Sequence, residues 1–331
     1  MDELRSIIEI PRIWEDLAKI EDGLLESVVS DDAHLTEISQ HLLLAGGKRL
    51  RPILSLLAAQ FGPSDDHRRL KAGIAVELIH VGSLYHDDVI DEADTRRGAP
   101  SVNANWSNTV AILAGDFLMA RASEVAATHL SQESVRLLAE TYAKLVEGQT
   151  RELSFIDSLD HPITDYEKVI AGKTASLIRT SARLGAIAAD ADEEVTEALS
   201  TWAWELGMVF QIADDALDLV ATEASIGKPA GSDIREGTFT RAVLDAAAGP
   251  DGTRIRELVA TGRPFSDSAV EEIIDVVRSG GHVDAALKTA MARLEIANQS
   301  LWVLPENETR AILEQLGAFI VSRVETARSG F

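Results

Sequence analysis

Ile79-His80-Val81-Gly82-Ser83-Leu84-Tyr85-His86-Asp87-Asp88-Val89-Ile90-Asp91-Glu92-Ala93-Asp94-Thr95-Arg96-Arg97-Gly98 carries an apolar helical pattern into a cluster of carboxylates and then into an Arg-Arg-Gly turn. Asp87 and Asp91 are four residues apart, so on a helix they share one face a single turn apart, where like charges repel. A cation at that place would offset the repulsion. Hard oxygen ligands at this spacing suit a hard divalent ion, and Mg²⁺ is usually held by one or two carboxylates plus substrate phosphates rather than by a closed protein cage. Arg96 and Arg97, just downstream, have the planar fork that grips phosphate through paired hydrogen bonds.

The pattern recurs in Phe210-Gln211-Ile212-Ala213-Asp214-Asp215-Ala216-Leu217-Asp218, again at the end of a long apolar helical stretch. One copy on a chain this acidic reads equally well as a solvated helix end. Two copies do not, because each abuts apolar turns: Ile79, Leu84 and Val89 beside the first, Val209, Ile212, Ala213 and Leu217 beside the second. Facing carboxylate triads can hold several Mg²⁺ ions, which bridge diphosphate oxygens and neutralise a departing diphosphate.

Outward from these motifs the chain reads as helical. Residues 3–28 repeat apolar positions with a helical period broken at Pro11, and a second segment runs to about Leu44. Gly46-Gly47-Lys48-Arg49-Leu50-Arg51-Pro52 then stops that segment and opens a helix from Leu50 to Phe61 that is apolar on nearly every side, hence buried. Residues 95–107 read as loop. Helices are expected over 109–129, from a Ser131 cap to about Asp157, from a capping box at Thr164-Asp165-Tyr166-Glu167 to about Ala189, and over 192–220. A glycine-rich loop over 222–237 precedes shorter helices near 240–247, 252–261, 266–279, 281–303 and 306–329. No alternating run of strand length stands out. Short connections without a low-complexity linker predict one all-α domain spanning residues 1–331.

A net charge of −23 argues against nucleic acid or anionic membrane as partner, because both need a basic face. Such a charge serves solubility. The absence of cysteine removes disulfides and thiolate metal sites and fits a reducing compartment. Met1-Asp2-Glu3-Leu4-Arg5 lacks the basic start and apolar run of a signal peptide. No window approaches the roughly 20 apolar residues of a membrane span. The expectation is a cytoplasmic protein without stable membrane insertion.

The chain resembles the trans-isoprenyl diphosphate synthases, or polyprenyl synthetases, over nearly its whole length. The residues that carry the resemblance are Gly46 to Pro52, the first aspartate motif running into Arg96-Arg97-Gly98, Leu113-Ala114-Gly115-Asp116-Phe117-Leu118, Gly172-Lys173-Thr174-Ala175, and the second aspartate motif followed by Gly227-Lys228-Pro229. The class I terpene cyclases share the first motif but usually carry an Asn-Ser-Glu type second motif, which is absent here. The resemblance implies an all-α bundle of long helices around a central cavity, the isoprenoid synthase type. It implies that Asp87, Asp91, Asp214 and Asp218 ligate Mg²⁺, with Asp88 and Asp215 ligating or orienting. It further implies that Arg96, Lys173 and Lys228 hold an allylic diphosphate with Thr174 and Gln211 beside it. Lys48, Arg51, His80 and Arg97 would hold isopentenyl diphosphate. Charge logic favours the same division, since a diphosphate without metal needs Lys and Arg directly. The implied reaction is ionisation of the allylic C–O bond, attack by the isopentenyl double bond, and loss of a proton.

Each of these residues has a plainer reading. A lone His80 on an apolar face is more often a satisfied core residue, and Arg96-Arg97 would also complement a helix C-terminus. Lys173 in Gly-Lys-Thr lacks the upstream strand and first glycine of a phosphate-binding loop. His86 touches the motif only by sequence, and Phe210 reads as core.

Ser83, Gly82 and Ile79 lie four, five and eight residues before Asp87 and so share its helical face. In short-chain members of the resembled family a bulky aromatic commonly blocks that face, whereas Gly82 and Ser83 are small. The expectation is a deep channel and a long-chain product of the quinone side-chain kind. Tyr85 points elsewhere on the wheel. A C15 or C20 product, or a catalytically silent helical subunit of a heteromeric synthase, is the alternative. Family members are usually homodimers, and some long-chain enzymes need a different second subunit. The chain departs from the family pattern at Thr238, where a Lys is common.

Overall fold

The computed structural model describes residues 2–64, 67–220, 230–250 and 252–329. The called residue Lys228, with Gly227 and Pro229, lies outside the described residues. Apart from turns and loops, the described chain is helical with one ladder of two two-residue strands, and it divides into two compact units.

The first unit comprises Met1–Tyr142, Leu177–Ser200 and Val303–Ile312. Its helices are α1 (Asp2–Ile7), α2 (Pro11–Ser27), α3 (Ala33–Leu44), α4 (Leu50–Ala58), α5 (Arg68–Ile90), α6 (Val102–Asn105), α7 (Asn108–His129) and the first part of α8 (Gln132–Leu153). It also takes most of α10 (Ser176–Ala188) and the start of α11 (Glu193–Val220). Pro11 opens α2 at a position whose N–H has no helical partner to lose. Side chains of Asp32, Ser107 and Ser131 accept backbone N–H groups at the starts of α3, α7 and α8. From Pro52 to Ala58 every residue of α4 is buried, as its all-round apolar sequence requires. Helix α5 packs chiefly on α7, where Ala111, Ala114, Leu118 and Ala122 form the buried stripe.

Residues 95–107, read as loop, hold more structure than that. Thr95 pairs with Pro100 and Arg96 with Ala99 in an antiparallel ladder (β1, Thr95–Arg96; β2, Ala99–Pro100), followed by α6. Arg97 and Gly98, at φ of 55° and 75°, make the left-handed turn between them, the geometry that matches strand twist in a two-residue hairpin.

The second unit comprises Ala143–Ser176, Thr201–Trp302 and Leu313–Phe331. Helix α9 (Ile163–Ile170) and the later part of α11 pack with α13 (Arg241–Ala248), α14 (Gly252–Val259), α15 (Asp267–Ser279), α16 (His282–Ser300) and α17 (Glu308–Ser329) around a core that includes Met208, Val209, Ile212, Val243, Ile255, Val270, Ile273, Val277 and Val283. A short α12 (Ser232–Arg235) lies between. The expected capping box at Thr164 is not used: Pro162, extended at ψ 155°, is the cap, no side chain accepts there, and Asp165 pairs with Lys168 instead. The segment after α9 is also not one continuous α-helix, because Ala171–Ala175 form a π-helical turn before α10 begins.

Candidate active site

The first aspartate motif closes α5. The Asp91 N–H still bonds to the Asp87 carbonyl at 2.8 Å, which leaves Asp87 in the last turn, half-buried, and Asp91 as the exposed cap. Asp88 is different. It is fully buried, and its Oδ1 accepts from Arg96 Nε and Nη2, both at 2.6 Å. Burial raises its pKa despite the Arg96 guanidinium, and the buried Oδ2 has no hydrogen-bond partner among the described residues. The hairpin through β1 and β2 is what brings Arg96 back onto Asp88.

Arg49, together with Arg51 and Arg97 of the expected anion-binding set, surrounds a carboxylate outside the motifs. Glu77 Oε1 accepts from Arg49 Nη1 at 2.9 Å and lies 3.8 Å from Arg97 Nη2, while Arg49 also forks onto Glu21 at 2.7 and 2.9 Å. Its signal was a lone carboxylate inside the apolar run Ile74-Ala75-Val76-Glu77-Leu78-Ile79, since a buried charge requires a paired cation. Arg97 Nη1 also donates to the carbonyls of Leu42, at 3.0 Å, and Gly46. Gly47 is required there twice over: its φ is +141°, and a Cβ would come within 2.9 Å of Arg97 Cζ. Arg51 is half-buried, and desolvation lowers its pKa to about 10 even with Glu77 nearby. Desolvation first, then Arg51 and Arg97, drives the His80 pKa well below the usual histidine range, so His80 is neutral at pH 7. Lys48 is exposed beside them in sequence. Arg49, Arg51 and Arg97 outnumber the carboxylates Glu21 and Glu77 set among them, so the cluster can accept an anion.

Of the called product-length residues, Ile79 is buried, Ser83 is half-buried with its hydroxyl on the His80 carbonyl at 2.9 Å, and Gly82 lies against α7. A Cβ on Gly82 would meet Met119 Cε at 2.9 Å and the Gly115 carbonyl oxygen at 3.1 Å. The approach of α7 is therefore reason enough for this glycine. Tyr85 points away from the motif, its hydroxyl donating to the Ile38 carbonyl at 2.7 Å. His86 Nε2 sits 3.3 Å from Asp116 and 3.2 Å from the Ile112 carbonyl, which gives it a packing role.

In the second unit, Asp214 is exposed, Asp218 is buried, and the Asp233 N–H donates to Asp218 Oδ2 at 3.2 Å. Asp215 is buried like its counterpart Asp88. Both its oxygens are taken, Oδ2 by the Tyr166 hydroxyl at 2.6 Å and Oδ1 by Gln211 Nε2 at 2.8 Å, and burial raises its pKa to about 7. Gln211 Oε1 in turn accepts from Thr174 Oγ1 at 2.7 Å. Lys173, next on the π turn, pairs with Glu152. Neither Tyr166 nor Glu152 was found from the motifs. In the sequence Tyr166 stands out only as part of a capping box, and Glu152 carries no distinguishing signal.

Among the described residues, no three His, Asp or Glu side chains group closely enough to hold a metal ion by themselves. The donor chemistry still fits a hard cation: Asp87 is half-buried, and Asp91 and Asp214 are exposed. A Mg²⁺ ion that keeps its waters and arrives with a diphosphate needs only one or two of them. Among the described residues no helix is long and apolar enough to cross a membrane.

Comparison with known proteins follows the same outline. The family model for polyprenyl synthetase matches residues 32–277. The nonaprenyl diphosphate synthase of Mycobacterium tuberculosis is 40% identical over 93% of this chain and 92% of its own. Heptaprenyl diphosphate synthase component 2 of Geobacillus stearothermophilus is 39% identical over 93% and 96%. Among solved structures, a Caulobacter crescentus polyprenyl synthase complexed with calcium and isoprenyl diphosphate superposes with a TM-score of 0.88 at 33% identity, covering 97% of each chain. A Corynebacterium glutamicum geranylgeranyl pyrophosphate synthase, also complexed with calcium and isoprenyl diphosphate, gives 0.84 at 38% identity, covering 95% and 96%.

Proposed function

The chain belongs to the polyprenyl synthetase family, and on that premise we propose that it is a Mg²⁺-dependent prenyltransferase that condenses isopentenyl diphosphate with an allylic diphosphate into a long all-trans polyprenyl diphosphate. When bound, Mg²⁺ supplies the positive charge that offsets the charge growing on the departing allylic diphosphate. Asp87, Asp91, Asp214 and Asp218 provide its carboxylate oxygens. Arg96, Lys173 and Lys228 hold the allylic diphosphate, with Thr174 and Gln211 beside it. Lys48, Arg51, His80 and Arg97 hold isopentenyl diphosphate, and neutral His80 offers a hydrogen bond where another charge would repel. As the allylic C–O bond breaks, the isopentenyl double bond attacks the allylic cation. The departing diphosphate accepts the proton that is lost, and no side-chain nucleophile is required.

Arg51 is the observation that carries this reading. Its surroundings already withdraw water, its buried Nε has no hydrogen-bond partner among the described residues, and Arg97 adds to the positive charge around it. Such a group is poised for a bidentate anion that brings no metal of its own. The length of the product is supported by the hepta- and nonaprenyl relatives and by the small, half-buried Ser83 on the motif's face. A C20 product is the second reading, supported by the geranylgeranyl synthase neighbour. The decisive assay incubates the purified chain with Mg²⁺, isopentenyl diphosphate and separate C5, C10, C15 and C20 primers, then separates the extracted prenols. Products beyond C20 are expected. Prenols that stop at C20 would establish the second reading, and product from no primer would sink the independent enzyme and leave the heteromeric one, which the two-component relative supports.

A further inference from the structure

The second aspartate motif is tied to the lysine-bearing turn by a hydrogen-bond chain with one direction. Tyr166, on α9, is 5% exposed, and burial and the neighbouring Asp215 push its pKa well above the usual tyrosine range, so its hydroxyl remains a donor. It donates to Asp215 Oδ2, Gln211 Nε2 donates to Asp215 Oδ1, and Thr174 Oγ1 donates to Gln211 Oε1. With Asp215 ionised, every acceptor is matched, and the amide of Gln211 has only one orientation that satisfies both neighbours. The turn at the far end has no freedom to follow a slack chain. A Cβ on Gly172 would lie 2.8 Å from Gly148 Cα and from the Lys144 carbonyl oxygen, and a Cβ on Gly207 would lie 2.5 Å from Ala175 Cα. The π-helical turn is thus clamped between α8 and α11 at backbone distance. π turns of this kind often sit at functional sites, and here Lys173 is on it.

We propose that Tyr166 is a positioning residue for the metal-bound diphosphate: by saturating the second oxygen of Asp215 it withholds that carboxylate from the metal and fixes Gln211, Thr174 and the Lys173 turn in the orientation that receives the substrate. The inference rests on the reading of this unit as the allylic diphosphate site. In Tyr166→Phe a buried carboxylate oxygen loses its donor, the ring packing stays, and Asp215 and Gln211 gain alternative rotamers. Supporting partners of metal and phosphate ligands typically matter by 10- to 100-fold.

The test is a calorimetric titration of inorganic diphosphate with and without saturating Mg²⁺, beside steady-state kinetics. Tyr166→Phe should weaken the Mg²⁺-dependent diphosphate binding about tenfold or more. The KM for the allylic substrate should rise, while the KM for isopentenyl diphosphate moves less than about twofold. Mere loss of folded protein would lower kcat and leave both KM values alone. Thr174→Val, which breaks the chain at its other end, should reproduce the pattern, and the double variant should be no worse than the poorer single one. If Tyr166→Phe does not fold in buffer alone, both proteins are titrated in sucrose, which favours the folded state by its exclusion from the protein surface, and the same loss of binding is expected. Unchanged Mg²⁺-dependent binding, or strictly additive losses, overturns the proposal. A wild-type chain that binds diphosphate in this way but makes no product from any primer would refute the functional reading and leave the positioning role standing.

Discussion

Asp88 and Asp215 are the middle aspartates of the two motifs, and both are turned away from water, Asp88 onto Arg96 and Asp215 onto Tyr166 and Gln211. The resemblance implies a ligating or an orienting role for each; these contacts favour the orienting one. Removing the Arg96 side chain leaves a buried carboxylate without its cation. Arg96→Ala is expected to lower unfolding free energy by about 1–3 kcal/mol, discounted from a fully buried pair because Arg96 is 31% exposed. Urea denaturation checks it. His80 makes a pH prediction. Its folded pKa lies below the unfolded value near 6.5, so the unfolded chain binds the extra proton and His80 contributes a loss of stability as pH falls below about 6.5. Asp215, raised to about 7, contributes with the opposite sign over the same window. The difference between wild type and His80→Gln isolates the first term. The stability gap should change with pH between about 7 and 5, and a gap that stays constant refutes the neutral imidazole.

Helix ends were largely readable, because the signals are local: Pro11 at the start of α2, serines at the caps of α7, α8 and α15, and glycines before α4. What could not be read comes from other elements. The π turn at Ala171–Ala175 exists where Gly148 of α8 meets Gly172, and no periodicity within the segment announces it. Gly148→Ala, whose Cβ would fall 2.7 Å from the Lys173 nitrogen, should destabilise by roughly 1–3 kcal/mol and weaken allylic substrate binding. Denaturation and KM measurements together check that. The same logic reassigns a test of product length. Gly82→Phe would push α7 off α5 at Gly115, so a shortened product or a misfolded chain are both open to it. Ser83→Phe, on the half-buried side of the motif's face, should shorten the product with less disturbance, as chromatography of prenols would register.

At the scale of the molecule, the two motifs belong to different compact units, Asp87, Asp88 and Asp91 to the first and Asp214, Asp215 and Asp218 to the second. The composition announced none of this. A net charge of −23 conceals the arginine cluster around Glu77, because charge totals carry no positions. The pairing of motifs in family order made the family legible. Glu77, Tyr166 and Glu152 stayed hidden because their roles are contacts rather than spacings. Metal removal should act unequally on the two substrates: chelation should abolish allylic diphosphate binding and leave isopentenyl diphosphate bound through Arg51 and Arg97, since those guanidinium groups need no bridging ion. The most direct measurement of the central claim is mass spectrometry of the prenyl diphosphates formed from isopentenyl diphosphate and a C15 primer with Mg²⁺, in wild type and in Asp87→Ala and Asp214→Ala. The account predicts a ladder of products growing by C5 steps in wild type and its near-complete loss in both variants. A wild type that leaves the primer unextended, or variants that extend it equally well, would contradict it.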